Sequence, residues 1–162
     1  MNGQASPQVR VLVDGDACPV KDEIYKVAVR HNVRVLLVAN SWIRMPDHPL
    51  FTFKLVSDGF DAADDYLAEQ ATKTDIAITA DIPLADRCLK AGATVLGPRG
   101  RAFTENSIGG ALATRAIMAD LRVGVGNEQI GGAAPFSKSD RSSFLQALDK
   151  AIVNTKREAA RG

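Results

Sequence analysis

The chain has 162 residues, 46% of them apolar, with 20 Lys/Arg against 19 Asp/Glu and only two cysteines. This composition fits one ordinary globular domain and excludes a collagenous, low-complexity or disulfide-stapled chain. Cys18 and Cys88 are far apart and form no closely spaced zinc-ligand pair, so reduced thiols are expected. No apolar run approaches the roughly 18 residues of a membrane span, and Met1 to Gln8 is polar without an apolar signal core, so the expectation is a cytoplasmic protein with no membrane partner.

Val9 to Val13 predicts a first strand, and Pro19 to His31 a helix, with Pro19 early and Ile24, Val27 and Ala28 at helical spacing. Val33 to Ala39 and Phe51 to Val56 predict strands, Ala62 to Ala71 a helix, Ile76 to Thr79 a fourth strand and Pro83 to Ala91 a helix that stops at Gly92. Thr94 to Leu96 predicts a fifth strand. Thr104 then caps a longer helix to about Leu121, in which Gly109, Gly110, Ala111 and Ala113 allow close packing. Arg122 to Ser139 is a glycine-rich loop, and Ser142 to Thr155 a last amphipathic helix built on Phe144, Leu145, Leu148 and Ile152. Strands and helices alternate, and the strands are continuously apolar. This predicts a three-layer α-β-α fold around a mainly parallel five-stranded sheet. No repeat or internal boundary appears, so residues 1–162 form one domain, with 1–8 and 156–162 as flexible ends.

Two strands end on aspartate. Val11-Leu12-Val13-Asp14-Gly15-Asp16 and Asp75-Ile76-Ala77-Ile78-Thr79-Ala80-Asp81 each carry a carboxylate to the edge of the sheet. In an open parallel sheet, ligands bind outside the carboxyl ends of the strands, so these acids are expected to converge there. Neighbouring carboxylates repel, and a shared proton or a bound cation relieves the repulsion. The third strand leads into Ser57-Asp58-Gly59-Phe60-Asp61-Ala62-Ala63-Asp64-Asp65, an acidic helix start. Most acids there are explained by the helix dipole. Asp61 and Asp65, four apart on one face, are the two expected to reach the crevice. Asp16 and Asp81 also suit helix capping, and Thr79 suits either capping or orienting a ligand through its hydroxyl. Together these acids predict a hard, oxygen-rich pocket suited to Mg2+ or Mn2+, one or two ions, held by Asp14, Asp16, Asp61, Asp65, Asp81 and Asp86.

The charge is unevenly spread: residues 1–81 hold 8 Lys/Arg and 12 Asp/Glu, and the remainder 12 and 7. A cation site at the front and a phosphate-binding surface at the back would give this split, as would ordinary scatter on helix faces. The candidate phosphate contacts are Lys21, Arg99, Arg101, Lys138 and Arg141. Asn40-Ser41-Trp42 follows the second strand. Ser41 and Trp42 are candidate substrate contacts, Trp42 either stacking a base or packing under the loop that holds Pro46 and Pro49. His31 and His48 belong to no triad or metal pair and read as surface residues.

The segments VDGDACPVKDEI, VSDGFDAADDYLAEQA, DIAITADIPLADRCLKAGATVLGPRGRAFTENSIG and PFSKSDRSSFLQALD, in this order, resemble the YaiI/YqxD family of uncharacterised bacterial proteins over nearly all of Val11 to Ile152. That family is grouped with the PIN-like domains, parallel sheets flanked by helices whose active members cut RNA with acids holding divalent metal. The resemblance implies Asp14 as the first acid, Asp61 or Asp65 as the acid of the middle helix, and Asp81 with Asp86 as the acids after the Thr-x-Asp strand end; Asp16 has no fixed equivalent. It implies catalysis by Asp14, Asp61, Asp65 and Asp81, with water activated by metal attacking RNA. Two other readings stand beside it. Asp14-Gly15-Asp16 also resembles the nucleophile and acid pair of haloacid-dehalogenase-like phosphatases, although Ala17 and Cys18 depart from that pattern. A non-catalytic RNA-binding module would keep the acids for a structural cation. The residues allow a homodimer as well as a monomer.

Overall fold

A computed structural model describes residues 8–57, 59, 61–110 and 135–161. The elements run β1 (Arg10–Asp14), a 3-10 turn (Gly15–Ala17), α1 (Lys21–His31), β2 (Arg34–Ala39), β3 (Phe51–Leu55), α2 (Ala62–Gln70), β4 (Asp75–Ile78), α3 (Ile82–Lys90) and β5 (Thr94–Leu96). Then come α4, helical from 105 to 110 where the description stops, and α5 (Lys138–Arg161). The expected helix beyond residue 110 and most of the expected 122–139 loop lie outside the described residues, as do residues 1–7 of the expected N-terminal tail.

The five strands form one sheet in the order β3-β2-β1-β4-β5, and every pairing is parallel. Side-chain alternation along each strand divides the core in two. Val11, Val13, Val35, Leu37, Ile76, Ile78 and Leu96 point to one face, where Ile24, Val27 and Ala28 of α1 and Phe144, Leu148 and Ile152 of α5 cover them. Leu12, Val38, Ala77 and Val95 point to the other, under Ala63 and Leu67 of α2, Leu84, Ala85 and Cys88 of α3, and Ile108 of α4. Both faces of β1, β2, β4 and β5 are covered, which is why those strands lack the polar alternation of a one-sided sheet. The edge strand β3 departs from the continuously apolar expectation and alternates, Phe51 and Phe53 packing on the core while Thr52 and Lys54 are exposed.

The chain winds outward from β1 in one direction through β2 and β3, and in the other through β4 and β5. The order reverses between β1 and β4, and a crevice opens at the carboxyl ends of strands at such a switch point. Asp14 ends β1, and Thr79 follows β4. Both share the alternation phase of Leu12 and Ala77, which directs them to the α2/α3 side of the sheet. At the opposite end of the sheet, Arg10 grips the fully buried Asp75 with two hydrogen bonds of 3.0 and 2.9 Å. The Thr72 backbone N–H and hydroxyl donate to the same carboxylate, each at 2.9 Å.

The helix boundaries differ from the expectation by more than one residue in α1 and α5, and by one residue in α2 and α3. α1 opens at Lys21, two residues after Pro19, and no side chain caps it. α5 opens at Lys138 and runs to Arg161, whereas the apolar pattern bounds it at Ser142 and Thr155 and gives a flexible end after 156. Its start is a reciprocal cap: the Ser137 N–H donates to Asp140 Oδ2 at 2.9 Å, and the Asp140 N–H donates to Ser137 Oγ at 3.1 Å. Its last turns, Lys156-Arg157-Glu158-Ala159-Ala160-Arg161, are good helix formers that need no apolar face to continue. Thr104 caps α4 as expected, through a 3.1 Å bond from the Ser107 N–H to Thr104 Oγ1.

Candidate functional site

At the switch point the carboxyl edge opens into a cavity of about 370 Å³ lined by Asp14, Asp16, Asp64 and Asp81 together with Cys18, Asn40, Thr79 and Pro98. The two strand-end acids therefore face a common space. The geometry around them is hydrogen-bonded in sequence. The Asp81 N–H donates to Thr79 Oγ1 at 3.0 Å, which commits the Thr79 hydroxyl to donate onward to Asp14 Oδ2 at 2.9 Å. Thr79 is buried, so this chain fixes the Asp14 side chain with one oxygen engaged. Of the two roles open to Thr79, orienting is the one the structure displays, and what it orients is the Asp14 carboxylate.

Asp81 is the N-cap of α3. Its Oδ1 accepts from the Leu84 N–H at 2.9 Å, and Pro83 follows in the first turn, where its missing N–H costs nothing. The capping role and the cavity position coexist, because only one carboxylate oxygen is used. Asp16 caps nothing: both of its oxygens accept from the backbone N–H of Asn40, at 3.1 and 3.0 Å, tying the β1–α1 turn to the end of β2. Gly15 between the two acids has no room for a side chain, since a Cβ there would lie 2.8 Å from Leu37 Cδ1 and 3.0 Å from the Val38 carbonyl oxygen.

Burial and neighbouring charge raise two of the cavity acids. Burial pushes the Asp14 carboxyl above the ordinary range, opposed by the Thr79 hydrogen bond and reinforced by the charges of Asp16 and Asp81. Asp64 is pushed up to about 6, first by burial and then by Asp81, Asp14 and Asp61, with Arg87 pulling the other way. Asp64 is thus the acid of α2 that the cavity receives, although the sequence pointed to Asp61 and Asp65. Asp61 is the residue before α2, exposed and in the left-handed region at φ 65°. Asp65 is exposed and bonds Arg87 at 2.7 Å. Asp86 bonds Lys90 one turn along α3 at 2.8 Å, and neither Asp61, Asp65 nor Asp86 lines the cavity. A signal for Asp64 was present: it stands three and seven residues before the buried Leu67 and Ala71, on the helix stripe that meets the sheet.

The expected cations are distributed differently from one another. Lys21 Nζ donates to the carbonyls of Gly15 and Cys18, at 3.3 and 2.8 Å, and so closes the β1–α1 turn. Arg99 bonds Asp140 at 3.0 Å, and Arg141 donates to the Pro19 carbonyl at 2.8 Å and to Glu23 at 3.3 Å. Both guanidiniums lie over the Phe136 ring, at 5.5 and 4.9 Å from its centre. Arg101 and Lys138 are exposed on neighbouring segments. Ser41 is exposed, and Trp42 is 71% exposed rather than packed under the Pro46–Pro49 loop. The neighbouring Ile43 and Met45 are partly buried and pack on the core instead. The histidines are structural and half-buried, not simple surface residues: His31 Nε2 lies 2.6 Å from Asp149, and His48 Nδ1 accepts from the Leu50 N–H at 3.1 Å.

Among the described residues, no three His, Cys, Asp or Glu side chains form a ready-made metal cage. The donor set still fits a small hard cation. Mg2+ retains most of its waters and typically takes only one or two protein carboxylates, and the cavity presents Asp14 and Asp81 with one oxygen each free of the hydrogen bonds described above. Burial first, and the neighbouring acids second, disfavour the ionised carboxyls of Asp14 and Asp64.

Fold and cavity define a parallel α/β protein with an acidic crevice at the switch point of its sheet. The chain belongs to the YaiI/YqxD family, described as uncharacterised, whose family model matches residues 12–154. It is 63% identical over 150 residues to a UPF0178 protein of Sphingopyxis alaskensis, covering 93% of this chain and 97% of that one. It is 57% identical over 152 residues to a UPF0178 protein of Nitrobacter winogradskyi, covering 94% and 96%. No solved structure matches the chain. Among the described residues, no helix is long and apolar enough to cross a membrane.

Proposed function

We propose that this protein is a divalent-cation-dependent nuclease of PIN-like type that hydrolyses phosphodiester bonds in RNA. The observation that carries the reading is the convergence of Asp14, Asp64 and Asp81 on one cavity, with Asp14 and Asp64 both destabilised as anions by burial and by neighbouring acids. Such a site favours a cation over a further anion, and a phosphate can enter it only with that charge compensated. Asp14 and Asp81 would hold Mg2+ or Mn2+, with Asp64 facing it and Asp16 at the rim. A bound ion of this kind supplies Lewis acidity and lowers the pKa of water. The residues supply position: Thr79 fixes Asp14, the α3 cap fixes Asp81, and the Asn40 backbone fixes Asp16.

The test is cleavage of labelled single-stranded and structured RNA with Mn2+, using the parent chain and the variants Asp14→Asn and Asp81→Asn. Asn is as good a helix cap as Asp, so the second variant keeps α3 intact. Cleavage by the parent alone is expected. Cleavage that survives both substitutions belongs to a contaminant and removes the proposal. RNA binding without cleavage assigns the protein to a binding module, and a beryllium fluoride adduct on Asp14 assigns it to the phosphatases.

A further inference from the structure

The carboxyl edge of the sheet carries different chemistry on its two flanks. On the β2 side, Asn40 lines the cavity and is fixed twice, its N–H on Asp16 and its Nδ2 on the Ser57 carbonyl at 2.8 Å. Trp42 follows two residues later, within about 7 Å along the chain, and is the most exposed large apolar side chain among the described residues. The neighbouring Ile43 and Met45 pack on the core, so the exposure of Trp42 is not a general looseness of the segment. On the β5 side, Pro98 lines the cavity and opens a closed turn. The Gly97 N–H donates to the Arg101 carbonyl at 2.8 Å and the Gly100 N–H to the Gly97 carbonyl at 3.0 Å. Gly100, at φ 91°, lies so close to α5 that a Cβ would meet the Ser143 carbonyl oxygen at 2.7 Å. This turn presents the exposed Arg101 next to the start of α5, where Lys138 is also exposed.

Resting on the nuclease reading, we infer that the substrate is an unpaired RNA strand crossing the carboxyl edge of the sheet, one base stacked on Trp42 and the phosphates beyond the acid cavity running over Arg101 and Lys138. Only an unpaired base exposes a face to an aromatic side chain, because in a duplex both faces are covered by neighbouring pairs. Three strand spacings separate β2 from β5, about 14 Å. That span accommodates an aromatic contact, the acids and the cations in a line across one edge.

Trp42 is the sole tryptophan of the chain, so its fluorescence reports this contact directly. The parent protein is titrated in Ca2+, a hard cation that compensates the cavity acids, with a 12-nucleotide single-stranded RNA and with a blunt duplex of the same sequence. Saturable quenching by the single strand and not by the duplex is expected. By anisotropy of labelled RNA, Trp42→Ala is expected to bind about tenfold more weakly, with Trp42→Phe restoring most of the loss. Arg101→Ala is expected to lower the slope of log affinity against log salt by about one. Binding without quenching, equal quenching by the duplex, or unchanged affinity of Trp42→Ala would each overturn the inference, as would no binding at all. The nuclease reading fails separately: quenching and binding as expected, with no cleavage once Mn2+ is added, leave the strand path standing and remove the activity.

Discussion

Replacing Asp64 by Asn should stabilise the metal-free protein at neutral pH. The folded Asp64 carboxyl titrates near 6, against 3.8 for the ordinary side chain. Below pH 3.8 it is protonated both folded and unfolded, and the acid carries no penalty. Between 3.8 and 6 the unfolded chain ionises while the folded one resists, so the unfolded state binds fewer protons and stability falls as pH rises. Above 6 the penalty is complete. Two pH units correspond to a ceiling of about 3 kcal/mol at 1.36 kcal/mol per unit, but Asp64 is half-exposed, and solvent screening reduces this to about 1 kcal/mol. For a chain of this size that is a rise of about 2–4 °C in Tm. Thermal melts of parent and Asp64→Asn in chelator, from pH 4 to pH 7.5, should diverge progressively up to pH 6 and run parallel above it. Curves that coincide at pH 7, or a variant less stable than the parent there, would refute the destabilisation of the Asp64 anion by burial and neighbouring acids.

Three further outcomes follow from the geometry. Thr79→Val keeps the shape of the side chain but removes the hydroxyl between the Asp81 N–H and Asp14; with Asp14 holding a cation as proposed, loss of the partner that orients it costs about 10–100-fold in metal affinity. Calorimetric titration with Mn2+ should show a loss of about tenfold, and unchanged affinity would exclude the positioning role. Arg10→Ala leaves the buried Asp75 with only its Thr72 donors, and urea unfolding should register a loss of about 3 kcal/mol. Gly15→Ala forces a Cβ against Leu37 and the Val38 carbonyl; an overpacking cost of about 1–3 kcal/mol is expected in the same assay.

The layers and the strand ends can be read from the order of the residues alone. Apolar strands separated by helical patterns point to a sheet covered on both faces, the usual setting of parallel strands, and that covering appears as two cores on opposite sides of one sheet. The acids at Asp14 and Asp81 were legible because a strand end is a fixed position along the chain, independent of how helices rotate. Tertiary structure decided which side of each helix meets the cavity. Asp61, Asp64 and Asp65 are equally acidic and adjacent in sequence, and only the docking of Ala63 and Leu67 on the sheet turns Asp64 inward while Asp65 meets Arg87. It also decided which cations are engaged: Lys21 closes its own turn, and Arg99 and Arg141 meet partners 41 and 118 or more residues away. Spacing along a chain records local periodicity, whereas the pairing of charges from distant segments depends on the sheet order that brings them together.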